Sequence, residues 1–341
     1  MPEPRFLIVR LGSLGDIVHT FPAVAALRET FPSADMVWLT HPRWQCLVES
    51  SSLASAIWTV EPRALGSLRE VIGRIRTIPW TAAVDYQGLW KSAVLPFLGD
   101  VKRRIGFSAA TVREFGVPWL YTDRVRTTAR HIVEQNGELS VRAGAKNPVA
   151  DLMLRIAPED DARVRDFLQA RAIERYVVLS PGGGWRAKCW PAERFRALSQ
   201  KIQESLGLSC IVNYGQGEEH LASETSSHGP GAAIAYHGRL GPLMALLRRA
   251  ACVVAGDTGP LHLGVALGTP AVALFGPTDP VRNGPYRMNP ASGSVRGNDI
   301  ILRVPGTVTT HARQKHTHPA MLALQVDAVF DAVRRSIGAA L

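Results

Sequence analysis

The chain of 341 residues has few cysteines and no long apolar run. These two features argue against a disulfide-rich protein and against a membrane-spanning one. The four cysteines are scattered, with no C-x-x-C pair and no histidine at zinc-finger spacing: Cys46, Cys189, Cys210 and Cys252. They are expected to be reduced and mostly buried, as in a cytoplasmic protein. No run of about 18 apolar residues is present to span a membrane. The apolar run after the first residues, MPEPR, is too short for a signal peptide and predicts a first strand.

Two common nucleotide-binding signatures are also missing. The sequence has no G-x-x-x-x-G-K-[ST], which disfavours a P-loop NTPase, and no complete G-x-G-x-x-G at a strand end, which weakens a dehydrogenase interpretation. A zinc finger, an RNP-like aromatic strand motif and a dense basic helix are likewise absent from the sequence. Nucleic acid is therefore a poorly supported partner.

Lysine is scarce although the chain is basic. Six of the 39 basic residues are lysine, the rest are arginine, and the formal net charge is +10. Because the guanidinium fork matches phosphates and carboxylates, an anionic partner is one interpretation, and an anionic membrane surface or lipid fits it. The other interpretation is that an arginine-rich genome simply supplies arginine.

Strand-like and helix-like segments alternate along the chain in two sets. The first set contains apolar runs at 5–10, 36–40, 56–60 and 81–85, with a helical stretch from Asp16 to Thr30. The second set opens at 176–180 and continues at 209–215, 251–256 and 271–276, with a helix from Ala192 to Ser205. Such alternation predicts parallel sheets covered by helices, arranged as two Rossmann-like α/β domains that face one another across a cleft.

The domain boundary is predicted in the polar segment 146–161. The expected division is 1–160, 161–320 and a C-terminal helix within 321–341, which could pack back on the first domain. Three histidines lie near this helix, His311, His316 and His318. Their spacing does not place them on one helical face, so a solvated loop is favoured over a metal site.

The stretch GSLGD at residues 12–16 poses a question about charge. A strand followed by a glycine-bearing turn usually begins a phosphate cradle at a helix N-terminus. Asp16 places a carboxylate where the phosphate should lie. The turn therefore suggests a binding site with something other than a phosphate in this position.

The stretch DTGPLHL at residues 257–263 predicts a short helix after a strand. Asp257 or Thr258 can cap it, and Pro260 suits its first turn. The free amides of such a helix favour an anion, Asp257 could hold sugar hydroxyls, and His262 lies one turn into the helix. The alternative is that Asp257 and Thr258 are only caps.

Two further turns carry lysines. SPGGGWRAKCWP, residues 180–191, places Lys188 in a glycine-rich loop, where it could bind a diphosphate or be an ordinary surface lysine. VDYQGLWKSAV, residues 84–94, places Lys91 and Ser92 in the first turn of a helix. Taken alone, this last signal is weak.

Together these motifs resemble one family. Four motifs, in order over residues 6 to 286, resemble those of the bacterial lipopolysaccharide heptosyltransferases, which are inverting GT-B enzymes of glycosyltransferase family 9. The motifs are GSLGDIVHTFPA, DYQGLWKSA, KCWP and GDTGPLHLGVALGTPAVALFGPTDP. The wording of the second motif is more similar to heptosyltransferase I than to heptosyltransferase II.

The resemblance implies roles for particular residues. Asp16 corresponds to the proposed general base, and Lys188 to a residue associated with the donor diphosphate. The donor sugar and phosphate would be bound by Asp257, Thr258, Gly259, Pro260 and His262. Lys91 and Arg113 are the candidates for binding a phosphorylated acceptor.

The resemblance also implies a reaction. Heptose would pass from ADP-heptose to the Kdo of Kdo2-lipid A, without a metal or cofactor, on the cytoplasmic face of the inner membrane, where the enzyme would be peripheral. The alternatives are heptosyltransferase II or another family 9 enzyme with a different acceptor. A third alternative, from another class, is a non-catalytic nucleotide- or sugar-binding module.

Overall fold

The computed structural model describes residues 3–112, 114–226, 232–287, 299–310 and 316–338. The chain divides into two compact units, Met1–Arg155 and Ile156–Leu341. This division falls inside the segment 146–161, where the boundary is predicted, and five residues before the expected division between residues 160 and 161. The expected division lies inside helix α7 (Pro158–Gln169), which packs on a helix of the second unit.

The first unit is a parallel α/β sheet with helices. Its strands are β1 (Arg5–Val9), β2 (Asp35–Thr40), β3 (Ala56–Thr59), β4 (Ala82–Asp85), β5 (Arg104–Phe107) and β6 (Asp123–Val125). Its helices are α1 (Leu14–Val18), α2 (Phe21–Thr30), α3 (Gln45–Ser51), α4 (Leu65–Arg76), α5 (Trp90–Leu98) and α6 (Ile132–Ala143). The order of the strands is β3-β2-β1-β4-β5-β6.

Strand β1 is buried on both faces, as its uninterrupted apolar sequence predicts for a parallel sheet. Leu7 and Val9 belong to a core cluster with Val71 of α4 and Leu95 of α5. Phe6 points the other way and meets Phe31 beyond α2, with ring centroids 5.4 Å apart. The alternation of side chains along a strand thus fixes the sheet between two helical layers.

The helix predicted from Asp16 to Thr30 is two helices, α1 and α2. The break falls at His19 and Thr20, just before Pro22, which occupies the first turn of α2. Proline has no N–H to continue a helix, but it suits the first turn of a new one. The break leaves α1 as a short segment that carries Asp16.

The second unit repeats the architecture. Its strands are β7 (Tyr176–Ser180), β8 (Ser209–Tyr214), β9 (Ile234–His237), β10 (Cys252–Gly256), β11 (Ala271–Phe275) and β12 (Ile300–Arg303). After α7 its helices are α8 (Ala192–Leu206), α9 (Glu219–Thr225), α10 (Leu240–Arg249), α11 (Gly259–Ala266), α12 (Pro280–Asn283), α13 (Pro319–Ala323) and α14 (Val326–Gly338). The strand order is β12-β11-β10-β7-β8-β9, and the strands are parallel.

Both sheets have the Rossmann strand order, read from the first strand of each unit. The order reverses between β1 and β4 in the first unit and between β7 and β10 in the second. In such sheets, ligands bind beyond the carboxyl ends of the strands at this switch point. The prediction of two Rossmann-like α/β domains is confirmed, and each unit has one place where a ligand is expected.

The C-terminal helix differs from its prediction. The stretch 320–337 forms two helices, and Val329, Phe330 and Val333 of α14 lie in the core of the second unit. The apolar face of α14 covers the second sheet beside α8, and the suggestion that this helix also packs back on the first domain stays a prediction. His318 caps α13, with its Nδ1 accepting a hydrogen bond from the Ala320 amide at 3.2 Å. His311 lies outside the described residues.

Two sequence predictions concern chemistry away from the strand ends. The four cysteines are free, two of them buried, while Cys46 is exposed. Burial raises the pKa of the Cys189 thiol to about 11, which keeps it protonated at neutral pH. Among the described residues, no helix has the length and apolar character needed to cross a membrane.

Candidate active site

The switch point of the first unit brings together two segments of the chain. Val9 at the end of β1 pairs with Asp85 at the end of β4, so the residues after each strand are neighbours. One segment leads to Asp16 and the other to Lys91. The parallel register therefore explains why two motifs far apart in sequence meet at one edge of the sheet.

Asp16 lies at the third position of α1 with its carboxylate held on both oxygens. Its Oδ2 accepts hydrogen bonds from the Ser13 amide at 3.1 Å and from the Ser13 hydroxyl at 3.0 Å. Its Oδ1 pairs with Arg10 Nη2 at 2.8 Å. The Asp16 side chain is nevertheless 46% exposed. A carboxylate that is oriented by the protein but open to solvent can meet a substrate hydroxyl.

Arg10 is a functional residue that the sequence interpretation missed. Its guanidinium is buried, and besides Asp16 it donates to the backbone carbonyl of Tyr86. Gln87 makes a second link, since its Oε1 accepts a hydrogen bond from the Leu11 amide at 2.8 Å. A basic residue at a strand end looks like a surface residue in the sequence. Only the pairing of β1 with β4 reveals that it fixes Asp16.

Asp85 is the buried centre of the neighbouring turn. One carboxylate oxygen accepts from the amides of Gln87 at 2.8 Å and Gly88 at 3.2 Å. The other accepts from the hydroxyls of Ser92 at 2.9 Å and Tyr121 at 2.7 Å. Burial raises the pKa of Asp85, although these four hydrogen bonds oppose the shift. Asp85 thus ties the end of β4 to the start of α5.

One of the two predicted acceptor-binding residues, Lys91, lies near this turn. Lys91 is exposed in the first turn of α5, next to Ser92, whose hydroxyl bonds to Asp85. This arrangement holds the helix start and leaves the lysine ammonium in solvent. Arg113 lies outside the described residues.

The switch point of the second unit holds three of the predicted donor-binding side chains in one cluster. Lys188 Nζ lies 2.6 Å from Asp257 Oδ2, and His262 Nε2 lies 3.0 Å from Asp257 Oδ1. Lys188 also lies over the Trp185 ring, 4.7 Å from its centroid. The carboxylate is buried, and the ammonium is largely so. The three side chains are therefore neighbours, and their role in donor binding stays a prediction.

Asp257 keeps its negative charge within this cluster. Burial alone would raise the pKa of Asp257, but the hydrogen bond from His262 and the charge of Lys188 outweigh it. The pKa of Asp257 is therefore well below its ordinary range, and the side chain is a carboxylate. Asp257 neutralises Lys188 directly before the N-cap residue of α11.

Helix α11 presents its first turn at the same place. Thr258 is the N-cap residue by backbone position, yet its side chain makes no capping hydrogen bond. Its Oγ1 is buried without a hydrogen-bond partner among the described residues. Gly259 and Pro260 open the helix, as predicted. An unpartnered hydroxyl beside free helix amides is suited to an anionic or hydroxylated ligand.

Two glycines let the Lys188 loop approach this helix closely. A Cβ on Gly256 would lie 2.6 Å from the Lys188 carbonyl oxygen, and a Cβ on Gly183 would lie 2.9 Å from the Thr258 methyl group. Contacts this short exclude a larger residue at Gly256 without a shift of the backbone, and at Gly183 without a shift of the Thr258 side chain. The close approach places the lysine beside Asp257.

Glu218 is a second residue that the sequence interpretation missed. It follows β8, the strand next to β7, and accepts a hydrogen bond from the Gly215 amide at 2.8 Å. A Cβ on Gly182 would lie 2.3 Å from its other oxygen, so the carboxylate rests against the glycine-rich loop. An acidic residue after the second strand of a Rossmann unit is the signal that could have identified it.

Comparisons with the sequences of known proteins identify the family of this chain. Residues 68–298 match the family model described as glycosyltransferase family 9 (heptosyltransferase). Lipopolysaccharide heptosyltransferase 1 of Pseudomonas aeruginosa is 28% identical over 307 residues, which cover 83% of this chain and 81% of the relative.

Two solved structures from Escherichia coli have the same fold. ADP-heptose LPS heptosyltransferase II superposes with a TM-score of 0.78 at 16% identity, covering 98% of each chain. Heptosyltransferase WaaC with ADP gives a TM-score of 0.74 at 24% identity, covering 98% of this chain and 99% of that one. These likenesses confirm the GT-B fold. Because the family match spans well over half of the sequence, the chain belongs to glycosyltransferase family 9, the heptosyltransferases.

Proposed function

We propose that this chain is an inverting heptosyltransferase that moves heptose from ADP-heptose to the Kdo of Kdo2-lipid A. The observation that carries the proposal is a division of chemistry between the two switch points. The first presents an oriented, solvent-open carboxylate, Asp16, and the second presents a lysine, a histidine and free helix amides. Inverting transfer requires one base for the acceptor and one set of anion donors for the leaving group.

The acceptor step follows from the surroundings of Asp16. The acceptor hydroxyl attacks the anomeric carbon, Asp16 takes its proton, and a new C–O bond forms in line with the departing phosphate. Arg10 and Ser13 each contact one oxygen of the carboxylate and so fix its orientation. The guanidinium of Arg10, 2.8 Å from Oδ1, orients the carboxylate that would take the proton.

The donor step follows from the Lys188 and Asp257 pair. The C–O bond to the diphosphate breaks, and ADP leaves with the electron pair. Lys188 would exchange part of its contact with Asp257 for a contact with the diphosphate. The α11 amides and the Thr258 hydroxyl would donate further hydrogen bonds to the diphosphate. Asp257 then has an oxygen for sugar hydroxyls, while His262 keeps it in place. Glu218 lies where a ribose hydroxyl binds in Rossmann units.

The acceptor is proposed from two agreements. The DYQGLWKSA motif is more similar to heptosyltransferase I, and the Pseudomonas relative bears that name. Lys91 is the described cation nearest in sequence to the Asp85 turn and would bind the anionic acceptor, with Arg113 as its second candidate. The acceptor places the enzyme at the cytoplasmic face of the inner membrane, as a peripheral protein.

An acceptor comparison tests the substrate. The full chain is incubated with ADP-heptose and either Kdo2-lipid A or its monoheptosylated product, with product mass as the readout. We expect turnover of Kdo2-lipid A, at an unchanged rate in EDTA. Turnover of the monoheptosylated lipid alone would assign the chain to heptosyltransferase II chemistry, and binding without turnover of either would make it a binding module.

Substitution of the base tests the mechanism. Asp16→Asn keeps the size of the side chain and should lower transfer by about 10² or more, the scale for loss of a general base, while ADP affinity stays unchanged. Asp100→Asn is the matched control, because Asp100 is an exposed aspartate paired with Lys102 in the same unit. Transfer by Asp16→Asn at the rate of the control would refute the assignment of the base.

A further inference from the structure

The first unit exposes four aromatic side chains along α5 and the segment after β5. The relative exposure of Trp90 is 47%, of Phe97 44%, of Phe115 86% and of Trp119 65%. Trp90 and Phe97 are seven residues apart on α5, so they lie on one face of that helix. These four residues are the aromatic patch.

Contacts within the described structure join these residues into one surface. Phe115 and Trp119 meet edge to face with ring centroids 5.3 Å apart. The indole N–H of Trp90 donates to the Phe115 carbonyl at 3.2 Å. Arg104 links the other end, since its guanidinium lies 5.4 Å over the Phe97 ring and its Nε donates to the Leu120 carbonyl at 2.7 Å. The patch is therefore continuous rather than a set of isolated exposed residues.

Cations border the aromatic patch. Arg104 touches Phe97, Arg124 Nε donates to the Pro118 carbonyl beside Trp119, and Lys91 follows Trp90. Two acids lie near the border: Glu114, which accepts a hydrogen bond from the Trp90 amide at 2.7 Å, and Asp100, which interacts with Arg104 and is paired with Lys102. The border is thus basic on balance, in a chain whose formal net charge is +10.

We infer that the aromatic patch is the surface by which this chain docks on an anionic phospholipid bilayer. Tryptophan is the side chain that suits the boundary between water and lipid, with its ring among the headgroups and acyl chains. Arginine and lysine beside it gain from the negative surface potential of anionic lipids. Large exposed apolar patches on soluble proteins mark interaction surfaces, and the basic border selects this partner.

The position of the patch connects it with the candidate acceptor site. Trp90 is the first residue of α5 and Lys91 the second, so the surface begins where the acceptor is proposed to bind. A lipid acceptor would then be reached while its acyl chains remain in the bilayer. The inference relies on the proposed function only in this link, and vesicle binding is measured without either substrate.

Vesicle sedimentation tests the surface. The full chain is mixed with vesicles of phosphatidylcholine alone or of phosphatidylcholine with phosphatidylglycerol. We expect tighter binding to the second kind, and Phe115→Ser/Trp119→Ser should weaken that binding by at least about tenfold because two apolar anchors are lost. Arg124→Gln should weaken it by about fivefold.

A matched control separates this patch from general stickiness. Met153 is 88% exposed, and the segment around it bonds to α2 and α3, through Pro22 and Ser50, on the other side of the sheet. Met153→Ser should bind vesicles as the parent does. Phe115→Ser alone guards against misfolding, since this most exposed ring is the least needed for packing.

Three results would overturn the inference. One is a parent chain that does not bind anionic vesicles, and another is a double variant that binds them as tightly as the parent. The third is a parent that self-associates without lipid while the double variant is monomeric, which would assign the patch to a second copy. Failure of heptose transfer with vesicle binding intact would count against the proposed function and leave the docking surface standing.

Discussion

Asp85 and Asp257 occupy equivalent places in the two units and are held in opposite ways. Each lies at the carboxyl end of the fourth strand of its unit, next to the first strand, and each is buried. Asp85 accepts hydrogen bonds only from uncharged donors among its described partners, and its pKa is raised by burial. Asp257 lies between Lys188 and His262, and its pKa is lowered although burial opposes this.

The difference shows two uses of one position in a fold. Four uncharged donors satisfy the buried carboxyl group of Asp85 without a counter-ion. The turn can therefore hold the start of α5 in a fixed position. Asp257 lies in a site where the ammonium of Lys188 balances the charge of the carboxylate and His262 holds its second oxygen. Only the second arrangement can respond when an anion arrives.

The largest expected effect comes from removing the charge of Asp257. Asp257→Asn leaves Lys188 buried without its carboxylate and should lower the free energy of unfolding of the second unit by about 3–5 kcal/mol. Urea unfolding at neutral pH, followed by circular dichroism, measures it. A loss as small as that of Asp85→Asn would remove the distinction between the two carboxylates.

The second effect is on the pH dependence of stability. Because the folded pKa of Asp257 lies below its ordinary value, its contribution is complete above that value and is lost as the pH falls through the folded pKa. The parent should lose about 1 kcal/mol of unfolding free energy through this group on acidification from neutral pH to about pH 3, because the unfolded carboxylate takes up a proton there while the folded one stays ionised. Asp257→Asn, measured in parallel, should show a correspondingly flatter decline.

A smaller effect is expected where one neutral donor is removed. Tyr121→Phe keeps the ring and deletes the hydroxyl that lies 2.7 Å from Asp85, so unfolding should cost about 1 kcal/mol less. Thermal unfolding detects a change of this size. A loss as large as that for Asp257→Asn would indicate that Asp85 depends on Tyr121 as on a counter-ion.

The smallest effect is expected for Asp85→Asn. A raised pKa means that the folded state favours the protonated form, so ionised Asp85 opposes folding at neutral pH and its stability contribution improves as the pH falls. The amide removes that cost while making poorer hydrogen bonds. The net change at neutral pH should stay within about 1 kcal/mol. A strongly destabilised variant with an unchanged pH profile would contradict this balance.

Much of this site follows from sequence because its residues stand at strand ends. Asp16, Lys188 and Asp257 each follow an apolar run and a glycine, so the parallel sheet alone carries them to a switch point. The sequence does not reveal which of them bind each other. The Lys188 and Asp257 pair depends on the close approach that Gly256 permits, across 69 residues of chain.

The missed residues depend on tertiary contacts. Arg10 is hidden because β4 places the Tyr86 carbonyl beside it, which no local pattern around Arg10 records. The break between α1 and α2 falls just before Pro22, and the sequence leaves open whether the helix starts at Asp16 or bends at this proline. The amphipathic pattern of α14 gives it an apolar face but does not say which sheet that face covers.

The packing of α14 has a consequence for synthesis on the ribosome. Its side chains, as far as Ile337, complete the core beside β10 and β11, two central strands of the second sheet. The first unit is complete once Arg155 has been added, and domains generally fold as units during translation. The first unit, which carries the proposed base, can thus fold while the second unit is being made. The second unit, which is proposed to bind the donor, must wait until α14 has emerged, and its apolar strands are exposed to chaperones until then.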